Sequence, residues 1–173
     1  GFLNETVTGF EQTRQCKVNI TTCMGSADLM EKIRNEKEIR KYDLVLGIDN
    51  CFFSSDNEYE RFSVSEALKN QNVNQLFLFD KKQRLIPYGY GYLAMVFDEA
   101  VVAQPPESFG ELQDARFRNQ LVVCDPNSSG IGRAALLWSL ALFGNEGYQQ
   151  FWKSIKKNIY ASKETWQEVI TTL

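Results

Sequence analysis

Two short runs of this 173-residue chain hold the side chains best suited to grip a ligand, Asp49-Asn50 and Asn127-Ser128-Ser129-Gly130. Asp49 and Asn50 follow YDLVLGI (42–48), an apolar stretch that reads as a buried strand. Polar side chains just past the carboxyl end of a strand lie where open parallel sheets bind their ligands. The same pair is equally suited to make a turn or cap a helix, and the residues leave both readings open. The second run follows LVVC (121–124), breaks at Asp125-Pro126, and leads into a long apolar helical pattern ending near Phe143. Strand, polar turn and helix in that order put Ser128, Ser129 and Gly130 at a helix amino end. There, backbone N–H groups lack intrahelical partners and attract anions and hydroxyl-rich ligands. Ser128 or Ser129 suits the helix cap, and Gly130 and Gly132 let a ligand approach the backbone closely.

The catalytic alternatives are thinner. The chain has no histidine, which removes Ser-His-Asp and Cys-His catalysis from it and takes away the commonest zinc ligand. Its four cysteines, Cys16, Cys23, Cys51 and Cys124, include no C-x-x-C pair, so no metal site is expected. A thiol enzyme would have to use Cys51 or Cys124 with some other basic group as activator. A Cys16–Cys23 disulfide requires the chain to turn back, since an extended seven-residue step holds the ends too far apart. A net charge of −3 without a basic stripe argues against nucleic acid. Lys81-Lys82 and Lys156-Lys157 read as a solvated turn and a helix end. The longest apolar stretch, Ala134–Phe143, is too short to span a membrane, and no signal peptide is visible; a mature or trimmed chain has the same appearance.

The elements that position the two runs follow from periodicity. Phe2, Leu3, Val7 and Phe10 recur at helical spacing, predicting a helix over 2–14 packed on a sheet. Alternation in CKVNITT predicts a strand over 16–22, and Gly25-Ser26 opens a helix carrying Ala27, Leu29, Met30 and Ile33. Ser63-Val-Ser-Glu66 has the form of a capping box. LFLF (76–79) and Arg84–Ile86 read as a hairpin closed by Pro87, followed by an alternating Tyr88, Tyr90, Tyr92 face and a strand at 93–97. Gln104-Pro105-Pro106 marks a composition break, which sets lobes at 1–98 and 99–173. Ser108-Phe-Gly-Glu111 starts a helix to about Asn119. Residues 143–146 make a turn between helices, 146–157 a helix, 158–161 a short strand, and Ser162 caps a last helix carrying Trp166. The sequons at Asn4, Asn19 and Asn127 matter only in a eukaryotic secretory setting.

With these residues laid out, the chain resembles the periplasmic thiamine-binding proteins, solute receptors of thiamine ABC importers with the type II periplasmic-binding-protein fold. Four blocks carry the resemblance in family order: YDLVLGIDN (42–50), PYGYGYLAMVFD (87–98), PPESFGEL (105–112) and CDPNSSGIGRAALLW (124–138). A weaker fifth block covers 148–169. The resemblance implies an α/β protein of two lobes with mainly parallel sheets flanked by helices, incomplete at both ends. It implies thiamine or a thiamine phosphate as the transported ligand, with no separate cofactor, a membrane permease as partner, and a periplasmic or cell-surface location. Asp49 and Asn50 would face the ligand from one lobe and Ser128, Ser129 and Gly130 from the other. Trp166 would cover a ring, its alternative being ordinary core packing.

Besides lacking the family's opening strand and aromatic loop and its later tyrosine- and serine/threonine-rich loop, the chain departs from the family pattern at Gly89, where relatives usually carry an acidic residue, and at Cys51, where they commonly place a second asparagine. Three other functions stay open beside the thiamine receptor. They are a receptor for a ferric ion or polyamine, a truncated module that self-associates through an open sheet edge, and the cysteine-dependent enzyme.

Overall fold

The computed structural model describes residues 2–35, 37, 40–53, 56–64 and 73–173. Its one sheet among these residues is a parallel pair, β1 (Leu121–Cys124) and β2 (Ile159–Lys163). Leu121 pairs with Ile159 and Val122 with Ala161, an irregularity between the two shifting the register. Parallel strands need a crossover, and here it is α4 (Gly130–Ile155), 26 residues long. The helix breaks at Gly144, where φ is 70°. The break returns the chain so that Phe143 stacks on Phe151 at 4.8 Å, and Phe109 enters the same cluster against Trp138 at 4.9 Å. The turn expected at 143–146 is therefore present, as is the strand after it.

Side-chain caps set the ends of the carboxy-terminal elements. Ser108 accepts a hydrogen bond from the Glu111 N–H, as its spacing predicts, but the helix expected to Asn119 forms as two 3-10 turns, Phe109–Gln113 and Ala115–Phe117. Asp114 stands between them in extended conformation and caps the second, so the backbone resets there. Asn158, fully buried, donates to Leu112 O at 2.8 Å and Asp114 O at 2.9 Å, fastening both turns to the start of β2. The last helix, α5 (Trp166–Ile170), is capped by Thr165 rather than Ser162. Thr165 and Glu168 form a reciprocal capping box, a T-x-x-E signal present in the sequence that outranks a serine three residues further from the helix.

In the amino-terminal part, α1 (Phe2–Arg14) forms as its periodicity predicts but is not packed on a sheet: Leu3 and Phe10 are exposed. The short core lies beyond it. Met30 and Ile33 on α2 (Ser26–Arg34) bury against Phe52, with Ala27, Leu29, Val45, Ile48 and Phe62 around them. Phe52 ends the 3-10 turn Asn50–Phe52, which Asp49 caps by accepting from the Cys51 N–H at 3.0 Å. After it, α3 (Asp56–Tyr59) brings Tyr59 to stack on Phe53 at 4.4 Å. The helix expected from the Ser63–Glu66 box falls largely outside the described residues.

Five expected strands do not form. Residues 16–22, 42–48, 84–86 and 93–97 run without a ladder, and 76–79 begins inside a 3-10 turn, Gln75–Phe77, capped by Asn74. Apolar alternation marks a chain segment that suits a sheet, but a strand exists only when a neighbour faces its N–H and C=O groups. Among the described residues no neighbouring strand does so for these segments, and Leu44 is left 80% and Tyr92 89% exposed. The Tyr88, Tyr90, Tyr92 series makes contacts of its own instead, Tyr90 stacking on Phe77 at 4.3 Å. The polar turn between the hairpin arms is well built: Asp80 is buried, and Arg84 pairs with it at 3.0 Å.

Among the described residues no helix is long and apolar enough to cross a membrane, and no group of three or more metal-ligating side chains forms.

Candidate functional site

The amino end of α4 is where the two halves of the chain meet. Ser129, buried, caps the helix by accepting from the Gly132 N–H at 3.5 Å. Gly132 crosses directly over the end of β1, and a Cβ there would lie 2.5 Å from Cys124 O. Only glycine permits that crossing, and the crossing aims the helix end at the 3-10 turn 50–52. Asp49 meets it, its Oδ2 2.8 Å from where a Cβ on Gly130 would stand. A carboxylate at that position faces the partial positive charge of the helix terminus.

Asp49, Asn50, Gly130 and Trp166 all line one open cleft of about 2200 Å³. That volume exceeds what a small ligand fills, roughly 300–1,000 Å³. Most of the cleft wall is apolar chain from 42–48, 85–98 and the inner face of α4, and the polar corner at Asp49 and Gly130 is one end of it. Trp166, the first residue of α5, is 52% exposed, which leaves its ring available to a ligand rather than buried in a core. Ser128 and Ser129 do not line the cleft. Ser128 Oγ donates to Glu164 O at 3.2 Å, tying the 125–130 turn to the segment that precedes Trp166. The sequence thus brings Asp49, Asn50, Gly130 and Trp166 to one cavity and uses the two serines to shape its wall.

Two further residues belong to the corner. Cys51 places its thiol 3.7 Å from Gly130 O, and burial, then the Asp49 carboxylate, push that thiol up to about 12. It is held protonated at neutral pH, the opposite of what a nucleophile needs. Cys16, Cys23 and Cys124 are also free thiols. Arg133 sets its Cζ 4.1 Å from the centroid of the Phe52 ring and donates from Nε to Pro126 O at 3.1 Å. Sequence reading missed Arg133, because nothing local marks an arginine one turn into a helix as a contact to a phenylalanine so distant in the chain.

A strand, a capped helix end and a facing acidic corner open on a cleft, an α/β arrangement with room for a ligand. Residues 40–171 match the family model of the bacterial extracellular solute-binding proteins, and the chain belongs to that family. It is 30% identical over 156 residues to the thiamine-binding periplasmic protein of Haemophilus influenzae, covering 89% of this chain and 46% of that protein. Against the protein of the same name from Salmonella typhimurium the identity is 28% over 159 residues, covering 92% of this chain and 48% of that one. The solved structure of a periplasmic thiamin binding protein superposes with a TM-score of 0.67 at 22% identity, covering 95% of this chain and 51% of its own length. That likeness confirms the α/β fold expected from the sequence. The chain spans about half the length of the relatives it matches.

Proposed function

We propose that the chain captures thiamine or one of its phosphates in the periplasm and hands it to the permease of an ABC importer. The observation that carries this reading is the placement of Asp49 against Gly130 at the polar end of the cleft. Thiamine presents a cationic thiazolium, an aminopyrimidine edge and a hydroxyl or phosphate. The Asp49 carboxylate suits the cation or the amino group, and the Asn50 amide is available beside it. Trp166 suits stacking on either ring. The amino end of α4 suits the hydroxyl or a phosphate oxygen, with Ser128 and Ser129 holding the turn in shape and exchanging their present bonds for the ligand as it enters. Lobes at 1–98 and 99–173 each supply one wall, and contacts to both favour the closed state. The role is capture without catalysis and without a cofactor; the protonated Cys51 speaks only against a thiol nucleophile at this corner.

The names of the relatives support thiamine over a ferric ion or polyamine, as does the alternation of Tyr88, Tyr90 and Tyr92 with glycine in the sequence. The test is tryptophan-quenching titration of mass-verified protein with thiamine, its monophosphate and its diphosphate, with spermidine and ferric citrate as controls. Saturable quenching by a thiamine compound, weakened at least about tenfold by Asp49→Asn, is the expected result. Quenching by spermidine or ferric citrate alone overturns it.

The exposed Leu44 and Tyr92 segments favour one more property, pairing of copies through segments 42–48 and 88–97. Size exclusion with light scattering should then show dimers growing with concentration, and a strict monomer removes the idea.

A further inference from the structure

Arg133 touches both sides of the corner at once. Its guanidinium lies over Phe52, which is 2% exposed and rooted in the core with Met30 and Ile33, so that ring cannot drift independently of the turn that begins at Asp49. Its Nε donates to Pro126 O, at the start of the 125–130 turn that ends on Gly130. The guanidinium is planar and offers stacking and directional donors together, which a lysine ammonium does not. A centroid distance of 4.1 Å is well inside the range in which a cation and an aromatic face attract. Among the described residues no other side chain both bonds to the 125–130 turn and stacks on the ring that ends the 50–52 turn; the Cys51 thiol at 3.7 Å from Gly130 O is a second, weaker link.

We propose that Arg133 is a positioning residue: it clamps the Asn50–Phe52 turn to the Pro126–Gly130 turn, so that Asp49 and Gly130 are held together before a solute arrives. The proposal rests on the reading of that corner as the solute site. Its mechanical part is independent of any ligand. A preformed corner spares the solute the ordering cost of assembling it, so loss of the clamp weakens binding without removing a ligand contact.

The test uses Arg133→Met and Arg133→Lys, each followed by amide hydrogen exchange without ligand and by thiamine titration. Arg133→Met keeps length and removes charge and donors. It is expected to speed exchange about tenfold at residues 49–53 and 127–132, leaving Phe151 and Ile155 amides unchanged, and to weaken thiamine binding by a similar factor. Arg133→Lys restores the charge but not the planar stack, and should recover part of both effects. Exchange at 49–53 that matches the wild type, or acceleration spread equally through all of α4, overturns the clamp. If exchange responds as expected while the wild type binds no thiamine compound, the clamp stands and the solute reading falls. If thiamine binds the wild type and Arg133→Met equally, the solute reading stands and the clamp falls.

Discussion

Asp49 rests against Gly130 so closely that a Cβ on the glycine would stand 2.8 Å from Oδ2 and 3.5 Å from Cγ. The acidic and the serine-flanked corners are thus in contact rather than merely facing across a gap. The atom in the way is the far end of a side chain, so Gly130→Ala can fold by displacing the carboxylate. Stability should change by no more than about 1 kcal/mol, while thiamine affinity falls about tenfold. Paired thermal melts and quenching titrations check this, and an unchanged affinity would separate the contact from binding.

Gly132 is a different case, because its neighbours are backbone. A methyl there meets Cys124 O at 2.5 Å and Asp125 C at 2.7 Å, and neither can rotate away. Gly132→Ala should push α4 off β1 and cost about 3 kcal/mol. Urea unfolding reads it directly, and a midpoint equal to the wild type would show that the crossing is looser than its geometry.

The buried carboxylate of Asp80 accepts from the Lys82, Arg84 and Leu85 N–H groups and from the Arg84 guanidinium. Burial alone would raise its pKa, but the bonds to Arg84 and the neighbouring amides outweigh burial and hold the carboxyl below the usual range. A depressed folded-state value means the stabilisation is fully present above the unfolded value of about 3.9 and is lost as pH falls through the folded one. Asp80→Asn should therefore lose about 3 kcal/mol at pH 7, with the gap to wild type starting to narrow below about pH 4 and closing only as pH falls through the lower folded-state value. Unfolding curves at pH 7 and at pH 3 test it, and a gap that does not narrow at all would mean the ionised pair is not what stabilises the turn.

Cys51 and Cys16 should differ sharply toward a thiol reagent. Cys16 is exposed, whereas burial and Asp49 push the Cys51 thiol up to about 12. At pH 8 Cys51 should label on the order of a hundredfold more slowly than Cys16 until the protein is unfolded. Equal rates, followed by mass spectrometry, would revive the thiol-enzyme alternative.

The Trp152 indole N–H donates to Ser139 Oγ at 2.8 Å, and that fully buried hydroxyl donates on to Leu136 O at 2.6 Å. Ser139→Ala removes the partner of the indole N–H, at a cost of about 1 kcal/mol. Denaturant unfolding followed by tryptophan emission should register the loss, and Ser139→Thr, which restores the hydroxyl, should lose less than Ser139→Ala.

Local features were legible in the residues. α1, α2, β1, the cap at Ser108 and the helix starting at Gly130 all lie where nearby spacing and turn chemistry put them, because a helix turn or a cap is settled within about four residues. The Ser162 expectation failed on the same ground, a stronger local signal standing at Thr165 and Glu168. The binding-protein lineage was legible too, through ordered blocks rather than through any single motif. Contacts across long separations were not. Cys51 and Gly130 are 79 positions apart, and periodicity carries no information over that span. Segments 42–48 and 93–97 are apolar runs that suit buried strands and still form no ladder, since pairing depends on a neighbour that local composition does not specify. The meeting of Asp49 with Gly130, the inward reach of Arg133 and the removal of both serine hydroxyls from the cleft exist only once the chain is folded. Side chains acquire those neighbours through the crossing of α4 over β1, which the packing of the whole chain establishes.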